Sequence, residues 1–388
     1  MHDPILYALF LIFVGAAVAA TGALFLRQSM LVGYILLGVA LGPSALGWVG
    51  SPDLIRNAAA IGIIFLLFLL GMNLHPQKLV QLFGEVTLTT IASTAAFGAL
   101  GFAVGWGFGF TLAESLVIGA ATTFSSTIIG LKLLPATALH HQHIGEVVIA
   151  ILLLQDLLAI LVLIGLQGLG AGDAGLSDVV GLVLGLPGLV VAAFVAERYL
   201  LRPLWQRFDG IQEYIFLTAI AWCLGVAELG SMLGLSHEIG GFIAGVAVAN
   251  SPIARFIAES LRPLRDFFLI LYFFALGAGL NLAMLGDVVV PGLVLAAGVL
   301  LLKPLVFRGL LARIREKQPL AREVGVRLGQ MSEFALFIAM VALDSGVIGE
   351  RAAYLLQFAT VTTFVVSSYI IGLRYPSPIA GAASLRRD

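Results

Sequence analysis

Charge is scarce in this sequence. Asp, Glu, Lys and Arg make up 11% of its 388 residues, less than half of the roughly 25% a soluble domain carries. That excludes a water-soluble globule, and it excludes a disordered chain, which stays solvated through charge. No excess of one sign builds up either: the net charge is −1, so no basic face implies nucleic acid as a partner. Cysteine is almost missing. Cys223 stands alone, which excludes an intramolecular disulfide framework and a Cys-rich metal site. The spacings of a Ser–His–Asp set, a phosphate-binding loop or a zinc site are absent, so no enzyme chemistry is implied. No Gly-rich fingerprint follows a strand, so no nucleotide-binding domain is expected and no cofactor is implied. The lead Met-His-Asp-Pro has no Lys or Arg. The apolar segment Ile5 to Leu26 is longer than a signal-peptide core of about 7–15 residues, so it reads as a membrane helix and not as a cleaved leader.

What is present is apolar: 60% of residues are hydrophobic and mean hydropathy is +1.06. The 45 glycines and 14 prolines suit closely packed, sometimes broken, membrane helices. A spanning helix needs about 20 mostly apolar residues. Thirteen stretches qualify: 5–26, 30–48, 54–74, 86–111, 114–134, 144–169, 176–201, 213–232, 236–252, 264–286, 289–311, 323–346 and 351–373. The expected fold class is an all-α polytopic membrane protein, one transmembrane domain over residues 1–388 with no soluble domain. The ninth stretch is the weakest, being short and Gly-rich.

The basic residues orient these spans. With thirteen crossings the loops alternate sides, and eighteen of the 21 Lys and Arg residues fall on the C-terminal face. Arg56 and Arg351 fall on the other face, and Lys303 lies inside a span. Positive charge stays in the cytoplasm. The N-terminus is therefore expected outside and the C-terminus inside, in the plasma or inner membrane. Arg313-Ile-Arg-Glu-Lys317 is a basic cytoplasmic loop that sets topology, with lipid headgroup contact as a further role. Gly101, Gly105 and Gly109 form a small-residue stripe that reads as close packing within the chain.

Three ionisable residues sit within spans, where each costs a few kcal/mol and needs a reason. Asp156 is about twelve residues from either end of its span, roughly 18 Å of rise, hence near the midplane. Lys303 precedes Pro304 in the eleventh span. Glu333 lies in Gly329-Gln-Met-Ser-Glu-Phe334 in the twelfth. Buried pairs can simply hold helices together, and for Lys303 with Glu333 a structural core pair stands beside a functional one. Asp156 points further. Its neighbour Gln155 offers an amide oxygen, and oxygen ligands suit hard cations. A desolvated carboxylate also takes a proton readily. One group able to hold either a proton or a cation is the minimal exchanger.

A polar run converges on the same place. Ala121-Thr-Thr-Phe-Ser-Ser-Thr127 interrupts the fifth span, offering Ser125, Ser126 and Thr127; such hydroxyls can also bond back to their own helix. Gly329-Gln-Met-Ser332 interrupts the twelfth. Spans five and twelve are seven apart, and the odd offset makes them cross in opposite directions. Spans four and eleven, and six and thirteen, pair by the same offset. Such an arrangement is an inverted-topology repeat with two broken helices at the midplane. His140, His141 and His143 lie between spans five and six, where three histidines could sense pH or form a plain polar loop.

With these residues in hand, the chain resembles the monovalent cation:proton antiporter-2 family, and within it the membrane part of Kef-type potassium/proton antiporters. The matching stretches are Gly33-Tyr-Ile-Leu-Leu-Gly-Val-Ala-Leu-Gly-Pro43, Phe65-Leu-Leu-Phe-Leu-Leu-Gly-Met72, Phe124-Ser-Ser-Thr127, Leu154-Gln-Asp156, Gly240-Gly-Phe-Ile-Ala-Gly245, Phe273-Phe-Ala-Leu-Gly277, Lys303 and Gly329-Gln-Met-Ser-Glu-Phe334. The resemblance implies a homodimer and a core domain, about 86–169 and 289–373, moving against a scaffold. It implies that Asp156 binds the transported ion or a proton, with Ser125, Ser126, Thr127 and Gln155 around it. Gln-Asp at residues 155–156 resembles potassium exchangers, whereas Asp-Asp resembles electrogenic sodium exchangers. Lys303 and Glu333 match positions that form charged pairs in the core. Two departures stand out. Asn73 replaces a usual acid, and the sequence ends near its last helix where Kef proteins continue into a regulatory domain, so such a domain is either truncated here or supplied by a partner subunit. Sodium/proton exchange is the rival in the same class, a cation channel the rival in another. Membrane lipids are the remaining expected partners, and no resident metal is expected.

Overall fold

The computed structural model describes residues 4–26, 28–49, 52–73, 86–132, 143–170, 176–208, 210–233, 235, 237–280 and 282–377. These residues are almost wholly helical. In chain order the helices are α1 (Pro4–Phe25), α2 (Met30–Leu41), α3 (Pro52–Asn73), α4 (Val86–Gly107), α5 (Leu112–Thr122), α6 (Thr127–Lys132), α7 (His143–Gly170) and α8 (Leu176–Ala196). They continue with α9 (Arg202–Arg207), α10 (Gln212–Met232), α11 (His237–Val248), α12 (Ala254–Ala278), α13 (Leu285–Arg313), α14 (Gln318–Arg327), α15 (Glu333–Asp344) and α16 (Glu350–Arg374). Among the described residues, five helices are long and apolar enough to cross a membrane by length and composition alone: Ile5–Phe25, Thr87–Gly107, Gln212–Met232, Leu285–Arg313 and Glu350–Arg374. Each of the thirteen expected stretches contains helix. Two contain a pair of helices separated by a gap, α5 and α6 in one, α14 and α15 in the other. The stretch expected over 176–201 does not stop there: a π-helical turn, Glu197–Leu201, carries it into α9.

The chain forms two compact units. One comprises Val49–Val80 and Ala171–Leu276. Here α11 explains its own composition. It packs on α3 and on α10, and its glycines are the points of approach. A Cβ on Gly240 would stand 2.6 Å from Ala227 Cα, and one on Gly241 2.8 Å from Ile64 Cγ2. One on Gly245 would collide with the Phe68 carbonyl. A short, Gly-rich helix is thus held between two neighbours at backbone distance, as small residues permit in lipid, where apolar attraction between helices is weak. Trp222 Nε1 donates to Ala244 O at 3.1 Å across the α10–α11 contact.

The other unit comprises Met1–Trp48, Gln81–Gly170 and Gly277–Asp388. It carries the predicted repeat pattern: α4 packs on α5 and α7, and α13 packs on α14 and α16. Helices α4 and α13 pack on each other, with Phe97 and Phe307 edge to face at 5.3 Å. Val147, Val148, Ile151 and Leu152 of α7 close this core together with Val324 and Leu328. Gly101 and Gly105 do serve close packing within the chain, since a Cβ on them would meet Thr122 Oγ1 at 2.5 Å and Ser115 Cα at 3.1 Å. In α5 the entry is a capping box, Thr111 Oγ1 accepting from Glu114 N while Glu114 returns to Thr111 N.

The glycine contacts of α11 carry a prediction. Gly245→Val has no room and should cost about 1–3 kcal/mol or more, read as a lower thermal midpoint in detergent. Gly225→Ala, on an exposed face of α10 with nothing near its Cβ, should match or slightly exceed the parent.

Candidate functional site

Two helix breaks meet inside the core of α4, α7 and α13. In the first, α5 ends at Thr122 and α6 begins at Thr127. The break follows from its side chains, because hydroxyls compete with the backbone for its own hydrogen bonds. Thr122 Oγ1 donates to Ile118 O at 2.6 Å, and Thr123 Oγ1 to Ala120 O at 2.7 Å. Ser126 Oγ accepts from Ile129 N at 3.1 Å and so caps the restart. In the second break, α14 ends at Arg327, and Ser332 Oγ caps α15 by accepting from Phe334 N at 3.1 Å. Non-helical backbone at membrane depth survives only where protein or water satisfies it. Ser125, Ser126, Gln330 and Ser332 are completely buried, so protein must do so here.

Lys303 of α13 is the group that joins them. Its Nζ donates to Phe124 O at 2.6 Å in the first break and to Gln330 O at 3.1 Å in the second. A third bond runs to Ser125 Oγ at 3.4 Å, and Ser125 Oγ in turn donates to Leu328 O at 2.8 Å. Three acceptors match the three hydrogens of an ammonium. Both carbonyls lie just past helix C-termini, where a cation also meets the negative ends of two helix dipoles. Lys303 also stands 5.1 Å above the Phe97 ring. The expected partnership of Lys303 with Glu333 is therefore not what occupies the lysine: its donors go to the breaks.

The remaining polar groups divide between holding the breaks and facing Asp156. Gln155 is fully buried; its Oε1 accepts from Ser125 N at 3.0 Å and its Nε2 donates to Thr123 O at 3.4 Å. Both ends of the amide are engaged with the first break. Gln330 Nε2 reaches Ser126 O at 3.5 Å, and its Oε1 accepts from Ser367 Oγ at 3.0 Å. Asp156, the fourteenth residue of the 28-residue α7, is 1% exposed. Thr127 Oγ1, at the start of α6, lies 3.2 and 3.3 Å from its two oxygens. Glu333 opens α15 and is close enough to act electrostatically on Asp156. The arrangement is ordered by sign: an ammonium at two helix C-termini, carboxylates beside the following N-termini.

Ser125, Ser126, Thr127, Gln155, Asp156, Lys303 and Glu333 thus gather in one unit. Of the loop histidines, His140 and His141 lie outside the described residues, as does the side chain of His143; the side chain of Asn73 does too. Sequence reading passed over α16. Thr363 Oγ1 accepts from Met331 N at 3.1 Å, and Ser367 holds Gln330. The signal was there in Thr360, Thr363 and Ser367, spaced to share one face of an apolar helix.

Crossed helix breaks around a buried carboxylate and a buried ammonium define a class, the ion-coupled membrane transporters with half-helices at mid-membrane. The family is shown directly. The description "Sodium/hydrogen exchanger, transmembrane" matches residues 9–373, and the chain belongs to that family of cation/proton antiporters, which are transporters and not enzymes. Among curated relatives, the "Iron transporter MagA" of Paramagnetospirillum magneticum is 27% identical over 370 residues, covering 95% of this chain and 85% of that one. Among solved structures, the sodium proton antiporter MjNhaP1 from Methanocaldococcus jannaschii at pH 8 aligns with a TM-score of 0.71 at 19% identity, covering 95% of this chain and 96% of that one. That likeness establishes the shared fold.

Lys303 and Asp156 should separate on mutation. Lys303→Met leaves two buried carbonyls without their donor, a loss of about 2–4 kcal/mol, and should lower the thermal midpoint in detergent. Asp156→Asn removes a buried charge and should leave that midpoint unchanged or raised.

Proposed function

We propose that the chain is a secondary antiporter that exchanges a monovalent cation for a proton at Asp156 by alternating access. The observation that carries this reading is a fully buried carboxylate, Asp156, set against two helix breaks with a second carboxylate, Glu333, near it. Oxygen atoms close to a carboxylate can replace the water around a hard cation. The Thr127 hydroxyl suits both states, donating to the empty carboxylate and offering its oxygen to a bound cation. Ser126 and Glu333 complete the polar wall, and Ser125, Gln155 and Lys303 hold it in shape.

The cation is a choice between two. Potassium is supported by the Kef-like Gln155-Asp156 pair. Sodium is supported by the family description and by the activity named for MjNhaP1. The amide oxygen of Gln155 accepts from Ser125 N, which weakens its case as a potassium ligand and leaves sodium at least as well supported. The relative named as an iron transporter sets a third arm for the assay. Ferrous iron favours several nitrogen, sulfur or carboxylate ligands, and among the described residues no group of three or more His, Cys, Asp or Glu occurs.

The cycle follows from charge counting. Asp156 carrying either H⁺ or a monovalent cation is neutral in both crossings. With its three hydrogens committed to neutral oxygens, Lys303 keeps its charge throughout and does not join the exchange. One proton therefore moves for one cation. We further infer an N-terminus outside and a C-terminus in the cytoplasm, and a homodimer in a lipid bilayer.

The test is proton flux in liposomes with potassium, sodium, lithium and ferrous iron added in turn. Wild-type protein should show flux with at least one monovalent cation. Asp156→Asn should lose it while eluting as the parent does; normal exchange in that variant would refute the mechanism. Gln155→Asp should keep transport and shift preference towards sodium. An unchanged cation order would deny Gln155 any part in selectivity.

A further inference from the structure

We infer that a cleft formed by α13, α14 and α16 binds the phosphate-bearing headgroup of an anionic phospholipid. The cleft has a volume of about 410 Å³, and three exposed arginines from three helices line it: Arg308, Arg322 and Arg374. Arg308 Nε donates to Gln318 Oε1 at 3.1 Å. Among the described residues, Arg322 and Arg374 have neither an ion pair nor a side-chain hydrogen bond. The one carboxylate on the wall, Glu323, is already engaged by the buried Arg327, at 2.8 Å from Nη2 and 2.9 Å from Nε. Arg327 also donates to Pro376 O at 2.8 Å and lies over the Tyr375 ring. Three guanidinium groups thus line the cleft with one carboxylate that a fourth, Arg327, already engages, and what the cleft lacks is an anion. Phosphate is the anion whose oxygens several arginine forks can share.

The surface next to the cleft decides where that phosphate comes from. Leu301 and Leu305 precede Arg308 by seven and three residues, on the same face of α13, and are 68% and 64% exposed. On α16, Leu373 and Ile370 adjoin Arg374, and Leu373 is 67% exposed. Apolar helix surface open to the outside thus leads directly up to the arginines. Acyl chains would lie along it while the headgroup reaches the guanidinium groups, as side chains at a membrane boundary arrange themselves. A soluble nucleotide would make no use of that surface. Another arginine-lined cleft, in the unit of Val49–Val80 and Ala171–Leu276, differs: its Arg202 is doubly bonded to the buried Glu197, at 3.0 and 3.2 Å, so that guanidinium is answered within the protein.

The cleft is tied to the transport core. Helix α13 carries Arg308 five residues from Lys303. Helix α14 starts at the cleft and ends at the second break, and it rests tightly on α13, with a Cβ on Gly325 only 2.7 Å from Pro304 O. A bound headgroup would therefore fix the three helices that support the second break.

Binding is measured on the purified full chain in neutral detergent, with phosphatidylglycerol titrated in mixed micelles; this readout does not require ion exchange. Wild-type binding should saturate, and phosphatidylcholine should not bind. At about fivefold in affinity per arginine, Arg322→Gln should weaken binding about fivefold. Arg308→Gln, Arg322→Gln and Arg374→Gln combined should weaken it about a hundredfold. Arg262→Gln, exposed on α12 and outside the cleft, should leave it unchanged. Should the triple variant not fold, the exposed Arg322→Gln and Arg374→Gln single variants give the same reading. Equal binding by the arginine variants and the parent would overturn the inference, as would equal weakening by Arg262→Gln. Competition by inorganic phosphate or ATP as effective as the lipid would assign the cleft to a soluble anion and overturn it as well.

Discussion

The hydrogen bonds of one ammonium group hold the core of this protein in its shape. Two helices are interrupted where the membrane has no water to offer, and each interruption frees backbone carbonyls that would cost several kcal/mol if left alone. Lys303 answers one carbonyl in each break at once. That is why the lysine can be buried completely, and why the breaks can lie against each other. The remaining free groups are met by Gln155, Gln330, Thr363 and Ser367. Asp156, with the Thr127 hydroxyl and Glu333 near it, holds neither break, and the proposed exchange is placed there.

Division of labour follows from this. Residues that look alike in composition do different work according to which group they meet. Gln155 and Asp156 are neighbours in sequence, yet the amide is fastened to a break and the carboxylate faces the start of the half-helix beyond it. Ser125 and Thr127 are two residues apart, and the first bridges the two breaks while the second touches the carboxylate. A transporter needs both parts: a frame rigid enough to keep its broken helices buried, and one group free to change its ligand.

Much of this was legible in the sequence, and the limits were physical. Each of the thirteen stretches that hydropathy picked out contains helix, because lipid demands about 20 apolar residues per crossing. It understated α11, since a helix squeezed between two backbones needs glycine more than it needs length. The polar runs at residues 121–127 and 329–332 announced the breaks, because hydroxyls and glycine in an apolar helix leave few other readings. Asp156 was conspicuous for its depth. The role of Lys303 was not legible, because a periodicity argument finds charges and matches them with opposite charges, while backbone carbonyls bared by a break have no letter in the sequence. The contribution of α16 was hidden for a related reason: Thr363 and Ser367 read as tolerated hydroxyls until the break they serve is in place. The arginines of α13, α14 and α16 read as topology signals, and only folding shows that three of them share a cleft.

The account turns on Asp156 as the one group that changes its charge state while Lys303 keeps its own. Electrical measurement tests this most directly, since the membrane potential acts on any moved charge at about 2.3 kcal/mol per 100 mV. Liposomes carrying the protein are clamped at set potentials with an ionophore for an ion the protein does not carry. With a proton and a cation gradient present, the account predicts exchange without steady turnover current, at a rate that does not depend on the imposed potential. A sustained current, or a rate that climbs with potential, would show that Lys303 gives up its proton in the cycle and would contradict the account.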